Sequence, residues 1–284
     1  MKSAPNTFFG VKEGYSYEGI WLNAAKPPLD SKAVRQALAY ATDRDAIVKQ
    51  LFGAVKPDIK PIQSLTTPTN DIWYTEAFAK YTASQAKVDQ LMQGDGWAKQ
   101  GGVWTKNGQK ATLTIKSTTG NKRRELMEQI LDSQWKKAGF DVAPPDNQKA
   151  GNLFGELLPK GDYQLSIFAQ TPTSSSPAQC VNFCSKNIPT AANSFSGTNW
   201  YRISDPSIDG PWDKADGELD QTARKKLVSD GYVALAEQMP MIPIDPFPNI
   251  TLYNTAKLGG TISDNPIFGM FWNMNEWFCK GGKC

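Results

Sequence analysis

The chain contains no histidine. That removes Ser-His-Asp and Cys-His nucleophile systems and every imidazole metal ligand. It has no apolar run approaching the ~18 to 20 residues of a membrane span, and MKSAPNTFFG at the start does not read as the apolar core of a signal peptide. Any targeting segment is therefore expected outside this stretch. Neither sign of charge dominates: 31 Lys and Arg against 28 Asp and Glu give a net charge of +3. The nearest thing to a charge run is Lys122-Arg123-Arg124, which reads as a solvated face at a helix start and not as a nucleic-acid patch. No Gly-rich phosphate loop follows a strand, since Gly101-Gly102 and Gly259-Gly260 are isolated turns.

Cysteine is scarce too. The four fall into two close pairs, Cys180/Cys184 and Cys279/Cys284, and four cysteines allow three connectivities. The spacings match no common zinc pattern well, so local disulfides 180–184 and 279–284 are expected, each worth only about 2 kcal/mol on the chain-entropy model. Disulfides imply an oxidising, extracytoplasmic compartment.

What is present describes a folded globular chain. Its 284 residues are 40% hydrophobic and 21% charged, enough for a substantial core. The most tightly specified stretch is residues 23–53, NAAKPPLDSKAVRQALAYATDRDAIVKQLFG. Pro27 and Pro28 hold its start extended, and Asp30 or Ser31 offers an N-cap. Val34, Ala37, Leu38 and Ala41 make one apolar stripe. Thr42 is expected to cap a second helix that buries Ile47, Val48, Leu51 and Phe52 and stops at a left-handed Gly53.

Before it, the YEGIWLN stretch alternates as a short strand does. After it, residues 55–74 are rich in Pro, Thr and Asp and read as a long surface excursion without regular structure, either functional or partner-facing or a tether over the core. Ser84 starts a helix that Gly94-Asp95-Gly96 ends. Asn107-Gly108 signals a hairpin between strands at 103–105 and 111–116. A helix over 124–138 then leads to a strand at 140–142, and strand-helix-strand at this spacing predicts a parallel pair. A short helix at 152–158, a buried strand at 163–169, a polar segment at 170–200, a helix over 217–239 and a strand from Met241 complete the order.

The N-x-x-x-P-P-L-D turn running into VRQALAYATDRDAIV resembles the helix pair of extracytoplasmic solute-binding proteins of the peptide/nickel ABC-importer family. The later pieces agree in order: SQAKVDQLMQGDGW, the strand-helix-strand over 103–142, GDYQLSIFA, and the helix and strand over 224–243. The fold this implies is α/β: a periplasmic-binding-protein-like lobe, a mixed sheet flanked by helices, with C-terminal segments of the other lobe. On that resemblance residues 1–22 are a crossing segment from an N-terminal lobe, 23–243 the ligand-binding lobe, and 244–284 a return segment.

The implied function is non-catalytic capture of peptides or a similar small solute for a membrane permease. It implies a monomer with no cofactor, no metal and no nucleic acid, from a parent protein held in the periplasm or at the cell surface, as a lipoprotein. A secreted interaction module and an extracellular hydrolase are the alternatives. Carboxylate pairs such as Asp30/Asp43 and Asp213/Asp216 fall at helix caps and polar faces, and Ser174–Ser176 have no activating base, so catalysis is not expected.

The implied ligand contacts are Trp21 and Asn23 on one crossing segment, Phe247 and Asn249 on the other, and Thr171, Thr173, Ser174 and Trp200 on the segment between them. Thr173 stands where the family often carries an acidic residue that pairs with a peptide ammonium. No carboxylate occurs from Gln164 to Ser204. A hydroxyl accepts a hydrogen bond but does not neutralise a charge, which leaves a neutral or modified ligand, or an anchor supplied elsewhere, as alternatives to a peptide with a free N-terminus. Loop aromatics such as Trp73, Tyr74, Trp200, Tyr201, Trp272 and Trp277 suit either a cleft or anchoring of the loops.

Overall fold

The structure is a computed structural model, and it describes residues 4–65, 69, 71–171, 177–265 and 268–282. Its backbone is organised by two long strands. β1 (Thr7–Leu22) pairs antiparallel along nearly its whole length with β9 (Met241–Asn254). At its inner end β1 also pairs with β8 (Leu165–Gln170), which lies parallel to β6 (Ile115–Lys116), giving the order β6-β8-β1-β9. β1 is thus far longer than the short strand expected from YEGIWLN.

The helical hairpin forms as its pattern dictates. α1 (Lys32–Tyr40) takes Ser31 as its N-cap and buries Val34, Ala37 and Leu38. α2 (Arg44–Phe52) is capped by Asp43, whose side chain accepts from the Ala46 amide at 3.0 Å, and not by Thr42. Thr42 is fully buried: its hydroxyl donates to the Leu38 carbonyl at 2.8 Å and accepts from Trp135 Nε1 at 3.0 Å. A side chain committed to the core cannot also serve an exposed helix start. Gly53 keeps a right-handed φ of −55°, so no left-handed stop is present there.

Residues 55–65 form no helix or strand and are packed over the core as a tether. Ile59, Ile62 and Leu65 are buried in them. The Arg44 guanidinium, itself buried, ties this strap and its continuation to residue 81 down through the carbonyls of Ile62 (2.9 Å), Phe78 (3.1 Å) and Tyr81 (2.9 Å) and also reaches Pro243 O at 3.2 Å. Burial lowers its pKa to about 10, with Asp45 opposing.

α3 (Gln85–Gly94) precedes a small meander of β2 (Ala98–Gln100), β3 (Val103–Lys106) and β4 (Gln109–Lys110). Asn107 (φ 52°) and Gly108 (φ 76°) turn between β3 and β4, as a two-residue hairpin loop requires. β5 (Thr112–Leu113) lies parallel to β7 (Asp141–Val142) across α4 (Lys122–Ala138), which is the parallel pair the spacing predicted. Gln164 spans the break between β5 and β6, accepting from the Thr114 amide at 2.6 Å and donating to Thr112 O at 3.0 Å.

Residues 150–160 form α and π turns, and after a short helical turn at Cys180–Phe183 two longer helices follow. α5 (Pro206–Gly217) escaped the sequence reading because Pro211 and two glycines interrupt it. α6 (Gln221–Gln238) starts at the Asp220 cap, so Leu219 lies outside it and is 97% exposed. The aromatic centre of the core is Trp21, which stacks on Phe168 (4.9 Å) and Tyr201 (4.7 Å). Cys180 and Cys184 are joined by a disulfide. Cys279 is also disulfide-bonded, and Cys284, its expected partner, lies outside the described residues.

Candidate binding site at the crossing strands

The β1–β9 ladder is interrupted in its middle. Glu13 pairs with Pro248 and Tyr17 with Pro246, so three residues of β1 oppose the single residue Phe247 of β9. Proline supplies no amide donor, and here two prolines flank the irregularity, so the ladder is thinnest where it bulges. Gly14 sits inside the bulge. A Cβ on it would lie 2.0 Å from the Phe247 carbonyl oxygen, and only glycine permits that approach. Inward of the bulge every residue of β1 is buried; outward, residues 7–13 are intermediate or exposed.

The sequence candidates distribute unevenly about this point. Phe247 is part of the bulge, and Thr171 reaches it from the end of β8, its hydroxyl 2.7 Å from that of Ser16. Asn249 lies one step outward and donates to Asp264 at 3.0 Å. Trp200, half-buried, packs against Phe168 and Phe154. Trp21 and Asn23 are fully buried and offer this chain's surface nothing. Trp21 donates to Phe168 O at 2.7 Å, while Asn23 donates to the carbonyls of Gly161 (3.1 Å) and Tyr163 (2.9 Å). Both are packing residues because their polar atoms are already satisfied by neighbouring backbone. Thr173 and Ser174 lie outside the described residues.

Sequence reasoning missed the charge cluster beside the bulge. Glu18 and Asp245 are register partners on β1 and β9, and both are completely buried. Arg124 donates to Glu18 through Nε at 2.7 Å, and Arg123 pairs with the other Glu18 oxygen. Arg123 also stacks over the Phe247 ring, 4.6 Å from its centroid. The basic triplet is therefore not a solvated face: only Lys122 is exposed, and the two arginines neutralise a carboxylate inside the sheet. Asp245 has no hydrogen-bond partner at either oxygen among the described residues. Burial pushes its carboxyl well above the ordinary carboxylate range, Glu18 adds to the rise, and Arg123 and Arg124 oppose it. The available signal was an acidic residue interrupting each of two apolar strand runs, YEGIWL and IPIDPF.

A hollow of about 400 Å³ flanks the ribbon, lined by Glu13, Lys56, Ile59, Pro61, Tyr74 and Pro246 among others. Burial raises the Glu13 pKa, and Lys56 works against that rise. The larger groove, about 770 Å³, is far from the bulge: Pro27, Pro28, Trp97 and Gln164 line it, at the opposite end of β8. None of the described residues of β1 or β9 lines it.

The site is thus an α/β lobe with a long paired ribbon, β1–β9, interrupted at Gly14. Residues 2–191 match the family described as "Bacterial extracellular solute-binding proteins, family 5 Middle", and the chain belongs to that family. The chain is 25% identical to heme-binding protein A of Haemophilus influenzae over 248 residues, 86% of this chain and 42% of that protein. It is 26% identical to the oligopeptide-binding protein AppA of Bacillus subtilis over 231 residues, covering 79% and 40%. The solved structure of AppA from B. subtilis in complex with a nonapeptide superimposes with a TM-score of 0.81 at 23% identity, over 98% of this chain and 53% of that one. The chain thus spans about two fifths of the length of the curated relatives it matches. Proteins of this family bind solutes and are not enzymes. Among the described residues no helix is long and apolar enough to cross a membrane.

Proposed function

We propose that this chain is one lobe, with both crossing strands, of a two-lobed extracytoplasmic binding protein that captures a peptide or similar small solute and hands it to an ABC permease. The observation that carries this reading is the β1–β9 ribbon: anchored in a buried sheet on one side of the bulge, half-exposed on the other, and thinned by prolines where the two parts meet. Closure would pivot there and bury ligand between lobes. Thr171, Phe247 and Trp200 would face it from this lobe, joined by Thr173 and Ser174.

The domain reading follows: residues 1–22 and 244–284 cross to the second lobe, and 23–243 form the first. The exposed Phe268, Phe271, Trp272, Met274 and Phe278 of the return segment would then pack on that second lobe. The relatives' ligands, a nonapeptide in one and heme in another, support an organic solute of moderate size. With no carboxylate between Gln164 and Ser204, an ammonium anchor would come from elsewhere, and Glu13 on the wall of the hollow is one available group. A monomeric state and a lipid anchor on the parent protein complete the proposal.

The test is a thermal-shift screen against di- to octapeptides, nickel chelates and oligosaccharides, made on this chain and on the full-length parent. Stabilisation of the parent by one class, with little or none for the isolated lobe, is the expected result. Sub-micromolar binding by the lobe alone, measured by titration calorimetry, would overturn the need for closure.

A further inference from the structure

α4 carries Glu128 on a turn where it is 4% exposed. One of its oxygens accepts from Asn147 Nδ2 at 3.0 Å. The other, Oε1, has no partner among the described residues, and neither does Asn147 Oδ1; both atoms are buried. Unpaired buried acceptors are costly and uncommon. The two residues that carry them line one hollow of about 440 Å³ between α4 and residues 142–147, separate from the β1–β9 ribbon, since none of the described residues of β1 or β9 lines it.

The chemistry of the walls selects the occupant. Among the described residues no lysine or arginine lines the hollow, and its charged members, Glu125, Glu128 and Asp132, are all acidic. Glu125 and Asp132 pair with Lys122 and Lys136 at the surface, contacts that are weak in water and leave the local field negative. The floor is apolar, made by Ile115, Val142 and Pro145. Burial lifts the Glu128 carboxyl above its ordinary value; the Asn147 hydrogen bond opposes this, Glu125 adds to it, and Arg124 opposes it. Arg124 is itself committed to Glu18 and to the Thr118 hydroxyl.

An anion is excluded by the acidic walls. A bare divalent cation fits poorly, because it needs six or more oxygens at close range, and these carboxylates are not among the described groups whose ligand atoms converge. A primary ammonium fits: it brings three donors and no acceptor, and an alkyl stem can lie on an apolar floor.

We propose that this hollow is a second binding site, specific for a small primary alkylammonium. The ammonium donates to Glu128 Oε1 and Asn147 Oδ1, and the alkyl chain covers Ile115, Val142 and Pro145. The occupant is either a free amine or a lysine side chain on a short peptide; the shared chemistry is the same, and the two probes below separate the sources.

The experiment is ¹⁵N–¹H NMR on the isotopically labelled chain at constant ionic strength, titrated with n-butylammonium chloride and separately with an acetylated, amidated lysine tripeptide. Saturable shifts of the Asn147 side-chain amide and of the Val142 and Ala143 backbone amides are expected with n-butylammonium, and none with n-butanol. Glu128→Gln, its folded spectrum retained, is expected to weaken the affinity about tenfold or more, the loss of one charge-assisted hydrogen bond. Where Glu128→Gln fails to fold, Asn147→Leu carries the same expectation. Saturation by the tripeptide as well would assign a lysine side chain; saturation by the amine alone would assign a free amine. Absence of saturable shifts at these amides, equal shifts with n-butanol, or unchanged affinity in the folded variants would overturn the proposal.

Discussion

Glu18 and Asp245 face each other as register partners across the β1–β9 ladder, both fully buried, and the two arginines that reach this point ion-pair with Glu18 and not with Asp245. Asp245 is left with its carboxyl pushed well above the ordinary range, first by burial and then by Glu18. A carboxyl whose folded pKa is raised binds its proton more tightly folded than unfolded. Its favourable contribution is therefore complete below the unfolded carboxylate pKa and is lost as pH rises toward the folded value. Asp245→Asn is expected to remove that loss, stabilising the protein at neutral pH by on the order of 1–3 kcal/mol and by less in acid. Parallel thermal melts of both proteins across acid to neutral pH check it; a difference independent of pH would contradict it.

Gly14→Ala places a methyl group against a carbonyl oxygen that cannot move without its strand. The expected cost is about 1–3 kcal/mol. Hydrogen exchange localises it: amides in 7–13 and 249–254 are expected to lose protection while those in 18–22 and 241–245 keep theirs.

Arg44→Met removes five hydrogen bonds, four of them to backbone carbonyls of the strap and of β9. Orphaned buried carbonyls make this worth on the order of 2–4 kcal/mol, seen as a lower urea midpoint. Early proteolytic cleavage within residues 55–81 is expected to accompany it.

The described cysteines are all oxidised. Unfolded, unreduced protein is expected to show no reactive thiol. Reduction of the Cys180–Cys184 link, which closes a very short loop, is expected to cost only about 2 kcal/mol.

Much of this fold could be read from local chemistry. The helical hairpin, the Asn107-Gly108 turn and the parallel pair around α4 follow from periodicity, caps and spacing, all short-range in the chain. The failures are non-local. Thr42 looked like a cap because the sequence does not reveal Trp135, more than ninety residues away, claiming its hydroxyl. Arg123 and Arg124 looked solvated because Glu18, their partner, is a hundred residues upstream in an apolar strand. Among the ligand candidates, those tied to the strand ends fell at the bulge, whereas Trp21 and Asn23 were drawn inward by acceptors on β8 and the loop before it. Glu128 and Asn147 carried no sequence signal, since an unmet hydrogen bond is visible only once the chain is folded.

The outer ribbon is also a lever. From the bulge at residues 14–16 to Thr7 it extends for seven residues, about 20 Å at ordinary strand rise. A rotation of roughly 10° at Gly14 would carry the tip about 4 Å, a displacement set by that same strand length. On the proposed closure the bulge would work as a fulcrum with mechanical gain, an adjustment of one or two backbone torsions beside Phe247 becoming at the far end a movement the size of a side chain.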